Sequence, residues 1–144
     1  MILVDANIIL YAEDSLSENH EAAREWWDAQ LSGVNPVGLC WPVLSAFMRI
    51  STNPRLHQRP LTTKEATRRI GSWLDQPCVQ VIEAGPDHWR YFRALLEQVN
   101  ATGNLVSDAH LAALSQEVGG VVCSTDRDFA MFPKIKWKNP LSSH

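Results

Sequence analysis

Residues 1–12, MILVDANIILYA, place a carboxylate inside an otherwise apolar segment. Residues 2–4 have the composition of a buried strand, and the apolar run resumes at residues 8–10. Asp5 and Asn7 interrupt it. A carboxylate beside a core strand costs free energy unless a partner compensates its charge. This stretch therefore predicts both a core strand and a functional group at its end.

Segments typical of strands and helices alternate along the rest of the chain, without repeats or long linkers. Strands are predicted at residues 1–5, 37–41, 78–84 and 121–124, with a short last strand near residues 135–137. Helices are predicted within residues 15–33, 42–51, 62–74, 86–99 and 104–118. Such alternation indicates an α/β fold with a mostly parallel central sheet and helices on both of its faces.

Local signals support several of these helices. Ser15 with Glu18 and Thr62 with Glu65 have the spacing of capping boxes. Pro42 suits the first turn of a helix, because that position needs no N–H donor. The tryptophans fall mostly at helical core spacing, which favours packing rather than nucleobase stacking as their role.

Length and composition predict a single domain over residues 1–144, since 45% hydrophobic and 20% charged residues are ordinary values for a globular protein. No apolar run is long enough to span a membrane and the N-terminus lacks a signal-like pattern, so a cytoplasmic bacterial-type protein is expected. The three cysteines lack disulfide or zinc spacing and are expected to be small core residues; they are Cys40, Cys78 and Cys123.

The net charge of −3 conceals an uneven distribution. Residues 5–28 contain seven acids and one base, whereas residues 49–69 contain six bases and one acid. The basic stretch suits contact with phosphates or with an acidic partner. A solvated helix face explains the same charges, and both interpretations stay open.

Four aspartates are candidates for one site. Ligands of open α/β sheets bind beyond the carboxyl ends of the strands. Asp5 ends the first strand, while Asp126 and Asp128 follow the fourth, so the fold type can bring them to one edge. Asp108 lies near the start of an otherwise apolar helix, where a carboxylate requires a cation or N–H donors.

Helix capping is the alternative explanation for Asp108, Asp126 and Asp128 taken singly. Taken together, converging carboxylates repel each other unless a divalent cation lies among them. Oxygen ligands of this kind suit Mg²⁺ or Mn²⁺, which can activate water and neutralise charge on a phosphoryl group. The residues therefore point to phosphodiester hydrolysis.

Other catalytic chemistries have little support. The five histidines show no zinc-ligand spacing, and the chain has neither a glycine-rich phosphate loop nor a G-x-S-x-G motif. His110 lies two residues after Asp108 and is expected to point to a different side of the helix.

Several segments, taken in order, resemble the PIN-domain ribonucleases, in particular the VapC toxins of bacterial type II toxin–antitoxin pairs. They are ILVDANIILYA at 2–12, FMRISTNPRLHQRPL at 47–61, GNLVSDAHLAALSQEVGGVV at 103–122, STDRDFAMFP at 124–133 and KWKNPL at 136–141. The resemblance implies a three-layer α/β/α PIN domain that cuts RNA with Mg²⁺ or Mn²⁺. It also implies that Asp5, Asp108 and Asp126 hold the metal and that Asp128 is an additional catalytic acid.

The resemblance extends to supporting residues and partners. Asn7 and Thr125 are expected to orient the metal-binding side chains without binding the metal themselves. Arg49 and Arg55, from the basic stretch, are candidates for binding RNA or an antitoxin. VapC toxins usually pair as homodimers, are inhibited by a VapB antitoxin and often cleave transfer RNA or ribosomal RNA, and the same is expected here.

One position departs from the family pattern. Many members have a glutamate on the helix after the second strand, about three residues before an arginine. Ala46 stands three residues before Arg49, and no acid occurs between Asp28 and Glu65. Only a loop that folds back could let Glu13 or Asp14 substitute. The departure leaves open whether one or two metals bind.

Three other functions are alternatives to that of a toxin nuclease. A haloacid-dehalogenase-like phosphatase also has an aspartate after its first strand, but it needs a second one where this chain has Asn7. A catalytically inactive module that binds RNA or an antitoxin would account for Ala46. A nuclease of RNA maturation would keep the same aspartates, and small size favours the toxin over it.

Overall fold

Short apolar segments form the central sheet. The computed structural model describes residues 1–142, so residues 143 and 144, which the single-domain prediction includes, lie outside the described residues. The strands are β1 (Ile2–Val4), β2 (Val37–Leu39), β3 (Val79–Val81), β4 (Val121–Cys123) and β5 (Trp137–Lys138). Each is shorter than predicted; Trp41, for example, already belongs to the helix after β2, with Cys40 as its N-cap.

The sheet has the order β3-β2-β1-β4-β5, and all four neighbouring pairs are parallel. The predicted parallel sheet is thereby confirmed. Parallel pairing puts the carboxyl ends of all strands at one edge, and β1 lies in the middle of it. Gly38 in β2 allows the sheet to be covered closely, since a Cβ there would lie 2.8 Å from Cγ1 of Ile82.

Six α-helices flank the sheet in the described part of the chain. They are α1 (Ala6–Glu13), α2 (His20–Leu31), α3 (Trp41–Ser51), α4 (Thr63–Leu74), α5 (His88–Val99) and α6 (Asn104–Val118), and a short 3-10 helix covers Arg127–Met131. The helix α1 was not predicted, because residues 8–10 were interpreted only as a resumed apolar run and Ile8 and Ile9 are β-branched. Asp5 ends that strand and begins the helix by accepting a hydrogen bond from the N–H of Ala6.

One predicted capping box forms and the other does not. Thr62 and Glu65 exchange hydrogen bonds of 3.1 and 3.0 Å at the start of α4. Ser15 and Glu18 do not cap α2, which begins at His20. The residues before it form turns instead, in which the Asp14 carboxylate accepts from the N–H of Leu16.

Most tryptophans pack as predicted, but two do not. Trp27 and Trp73 are buried and meet edge to face, with ring centroids 5.7 Å apart. Trp41 and Trp89 are 51% and 63% exposed, so core packing is the wrong role for them. Cys40 and Cys123 are buried as predicted. Within residues 1–142 no helix is both long and apolar enough to cross a membrane.

Candidate metal centre

Asp5 lies at the junction of β1 and α1 in the middle of the sheet. Its backbone N–H donates to the carbonyl of Cys123 at 2.9 Å, which extends the β1–β4 ladder by one step. Its carboxylate accepts from the N–H of Ala6 at 2.8 Å and from the hydroxyl of Ser124 at 2.7 Å. Burial raises the pKa of Asp5, the two hydrogen bonds oppose that rise, and the charge of Asp126 adds to it.

Ser124 connects the residues around this junction. It is fully buried at the end of β4. Its hydroxyl donates to Asp5, accepts from the side-chain amide of Asn7 at 3.0 Å and accepts from the N–H of Asp126 at 3.0 Å. One donor and two acceptor positions are all that a serine hydroxyl offers, so the group is fully used.

The predicted supporting residues join the same network. Asn7 bonds Ser124 with its amide nitrogen, and its carbonyl oxygen accepts from the N–H of Thr125 at 3.4 Å. Thr125 therefore contributes through its backbone. Ser124 was not predicted, although it directly follows β4, whose pairing with β1 places it beside Asp5 at the end of β1.

Asp126 and Asp128 begin the 3-10 helix that follows β4. The Asp126 carboxylate accepts from the N–H of Asp128 at 2.9 Å, so it caps this helix. Capping, the alternative considered for Asp126, is thus real, but it occupies only one of its oxygens.

Asp108 is the least compensated acid of the group. It lies in the second turn of α6, and its Oδ2 is buried with no hydrogen-bond partner among the described residues. Burial and, in decreasing order, the negative charges of Asp126, Asp5 and Asp128 together raise the pKa of Asp108 to about 7. A buried carboxylate surrounded by carboxylates is costly, and a divalent cation would relieve that cost.

The four acids converge from three elements. Carboxylate oxygens of Asp108, Asp126 and Asp128 lie within 4.8 Å of one another. Asp5 is not one of the residues in this 4.8 Å group. It lines the same cleft of about 490 Å³ as Asp108 and Asp126. All four are oxygen donors, the type that Mg²⁺ and Mn²⁺ prefer. The donor set therefore fits a divalent metal.

The family glutamate has no replacement in the described cleft. Ala46 lines the cleft where that side chain is expected. Glu13 is turned away and binds Arg24 and Arg69 at 3.1 and 2.7 Å. Asp14 lies 3.4 Å from the ring of His57. Neither acid substitutes for the glutamate, as the sequence analysis expected.

Of the side chains of Arg49, Arg55 and His110, two line the cleft. Arg49 is exposed and lines the cleft, whereas Arg55 is exposed in the loop after α3 and does not line it. His110 also lines the cleft, and its ring packs against His88 and Phe92 of α5, with ring centroids 4.7 and 5.6 Å away.

Fold and site together define a class: an α/β protein with an acidic, metal-suited cleft at the carboxyl edge of a parallel sheet. Residues 2–135 match the family described as PIN domain. Ribonuclease VapC33 of Mycobacterium tuberculosis is 37% identical over 141 residues, covering 98% of this chain and 99% of the relative. Ribonuclease VapC37 of the same organism is 38% identical over 140 residues, covering 97% of each chain.

A solved structure agrees on the fold. One chain in the crystal structure of VapBC2 from Rickettsia felis, bound to a DNA fragment from its promoter, superposes with a TM-score of 0.68. It is 16% identical and covers 96% of this chain and 98% of that one. The chain belongs to the PIN-domain family, and within it to the VapC-type ribonucleases.

Proposed function

We propose that this protein is a Mg²⁺- or Mn²⁺-dependent endoribonuclease and the toxin of a type II toxin–antitoxin pair. The observation that carries the proposal is the convergence of Asp5, Asp108 and Asp126 on one cleft, with an oxygen of Asp108 buried and unpartnered. A shell of carboxylates without a cation would be destabilising, so its purpose is to hold one. The VapC names of its relatives support RNA as the substrate.

The aspartates and Ser124 have different roles in this proposal. Asp5, Asp108 and Asp126 hold the metal, and Asp128 lies close enough to bind it or a water molecule beside it. Ser124 fixes Asp5 and the backbone of Asp126 relative to each other. A bound Mg²⁺ or Mn²⁺ would activate water and neutralise charge on the scissile phosphodiester.

Other residues assist the aspartates without binding the metal. Asn7 orients Ser124, and Thr125 orients Asn7 through its N–H. Arg49 lies at the cleft and suits the RNA backbone or an acidic antitoxin segment, and the exposed Arg55 extends this positive charge. Transfer RNA or ribosomal RNA is the proposed class of substrate, by likeness to the family.

A VapB-type antitoxin and a second copy of the chain are the proposed partners. The likeness of this chain to one chain of the VapBC2 structure supports the antitoxin. The exposed apolar side chain of Val106, on α6, is a candidate for a homodimer contact.

Cleavage of RNA with and without Mn²⁺ tests the proposed activity. Asp5→Asn and Asp108→Asn each remove one negative ligand while keeping side-chain shape, and asparagine preserves the cap of α1. Activity should require Mn²⁺ and fall at least a hundredfold in both variants, since each loses a ligand of the metal. Asp75→Asn, at the exposed end of α4, is the matched control and should cleave normally.

Equal cleavage by all four proteins would exclude the aspartates as the site. The absence of cleavage by the unaltered protein would favour the second candidate, a module that binds RNA or an antitoxin without cutting. That candidate is favoured by one observation, the alanine at position 46 in the cleft.

A further inference from the structure

The carboxyl edge of the sheet continues beyond the acidic cleft. Trp41 begins α3 two residues after β2 ends, and Glu83 follows β3 by two residues. These strands are parallel neighbours, and the N–H of Ile82 donates to the carbonyl of Leu39 at 2.8 Å, so the pairing persists to their ends. Trp41 and Glu83 therefore lie at the same end of the β2–β3 pair, on the opposite side of β1 from β4.

A second cavity lies between these two residues. It has a volume of about 190 Å³, and its lining includes Trp41, Glu83 and Leu114. It shares Cys40, Pro42 and His110 with the acidic cleft, so the two are adjacent along the edge. A volume of this size corresponds to about six water molecules, which suits one planar ring system and not a whole strand.

Trp41 is one of two largely exposed tryptophans within residues 1–142, the other being Trp89 on α5. The side chain of Trp41 is 51% exposed, whereas Trp27 and Trp73 are buried in the core. It stands at the first position of α3 and is followed by Pro42, so its backbone is held by the helix start. A single exposed apolar residue needs no explanation by itself. An exposed indole that lines a cavity beside a nuclease cleft offers a stacking surface.

We propose that this cavity is a nucleobase subsite, in which a guanine next to the scissile phosphodiester stacks on Trp41 and donates hydrogen bonds to the Glu83 carboxylate. The proposal rests on the proposed ribonuclease function and extends it to the base that the protein selects. Unpaired bases of RNA are commonly read in this way, by an aromatic face and a polar group at the base edge.

The carboxylate is what selects guanine. The Watson–Crick edge of guanine presents two adjacent donors, N1–H and the exocyclic amino group, which match the two oxygens of Glu83. Adenine and cytosine present one amino donor beside a ring acceptor that the carboxylate repels. Uracil presents one N–H between two carbonyls. A well-formed bidentate contact discriminates by about 1–3 kcal/mol, which is about fivefold to more than a hundredfold in affinity.

Titration of the metal-free protein with the four nucleosides, followed by NMR of the Trp41 indole N–H, tests the subsite independently of catalysis. Trp41→Ala identifies that resonance. Guanosine should shift it, with an affinity about tenfold above those of adenosine, cytidine and uridine. Glu83→Gln should remove most of this preference, because the amide keeps only one acceptor oxygen.

Matched controls exist on other faces. Trp89→Ala removes the other exposed tryptophan, on α5, and Glu25→Gln removes an exposed carboxylate on α2. Both should bind guanosine as the unaltered protein does. Equal shifts from all four nucleosides, or no shift at Trp41, would overturn the proposal. So would a Trp41 shift that follows protein concentration instead, because the cavity would then hold a second copy of the chain.

Sequencing of the ends produced from an RNA library with a randomised single-stranded region gives the second readout. Guanine should be enriched at one position beside the cut, and Glu83→Gln should lose that enrichment while still cleaving. Failure of the two proposals is distinguishable. Guanosine binding without any cleavage would remove the nuclease and leave the subsite, whereas Mn²⁺-dependent cleavage without guanine enrichment would remove the subsite and leave the nuclease.

Discussion

At the scale of single residues, Ser124 holds the proposed site together. Its buried hydroxyl makes three hydrogen bonds, to Asp5, Asn7 and the backbone of Asp126. Position rather than residue type gives it this role. A serine directly after a strand has no distinctive pattern, whereas Asp5 and Asp108 stand out because carboxylates are costly beside apolar residues.

Ser124→Ala should lower the free energy of unfolding by about 1–3 kcal/mol, since it leaves buried polar groups without a partner. Mn²⁺-dependent cleavage should fall as well, because Asp5 loses its anchor. Ser115 is the matched control, as it is also buried but bonds only the carbonyl of Ala112 in its own helix. Ser115→Ala should cleave normally. Urea denaturation and RNA cleavage measure the two effects, and normal cleavage by Ser124→Ala would contradict the role.

The raised pKa of Asp108 predicts that the stability of the metal-free protein depends on pH. This pKa is raised from 3.8 to about 7 in the folded chain, mainly by burial. Between these values the folded chain keeps a proton that the unfolded chain has lost, so stability falls as the pH rises through this window. The raised pKa of Asp5 acts in the same direction. Asp108→Asn should flatten the fall, measured by urea denaturation with a chelator present. An unchanged slope would contradict it.

At the scale of elements, sequence patterns located most helices and strands, and the misses have physical causes. Alternating composition predicted the parallel sheet, because fully buried strands are short apolar runs. The helix α1 was missed because isoleucine has only a modest preference against helices, and tertiary packing overrides it. The first capping box failed because turns formed by Asp14 and Ser17 compete with it before α2.

The two capping boxes give a paired test. Thr62→Ala should lower the free energy of unfolding by about 1 kcal/mol, because the N–H of Glu65 loses its acceptor at the start of α4. Ser15→Ala should change it by no more than about 0.5 kcal/mol, since that hydroxyl caps no helix. Urea denaturation of both variants checks this. A cost at Ser15 equal to that at Thr62 would mean that both boxes form in solution.

At the scale of the whole molecule, the fold accounts for the site by topology. With the order β3-β2-β1-β4-β5, the central strand β1 and its neighbour β4 deliver Asp5 and Asp126 to one edge, and α6 adds Asp108. The meeting of Asp5 and Asp126 was predictable from the fold type, whereas Asp108 stood out only as a carboxylate in an otherwise apolar helix. The cavity at the ends of β2 and β3 was not, since it depends on which tryptophan remains exposed, and spacing alone assigned the tryptophans mostly to the core.

A titration with Mn²⁺, followed by electron paramagnetic resonance, shows directly whether these aspartates bind a divalent metal. The signal of free Mn²⁺ disappears as the ion binds, so the titration counts ions and gives their affinity without any RNA. If the aspartates hold the ion, the unaltered protein and Asp75→Asn should bind Mn²⁺ saturably. Asp5→Asn and Asp108→Asn should bind Mn²⁺ at least tenfold more weakly. Equal Mn²⁺ affinity in all four proteins would contradict this expectation.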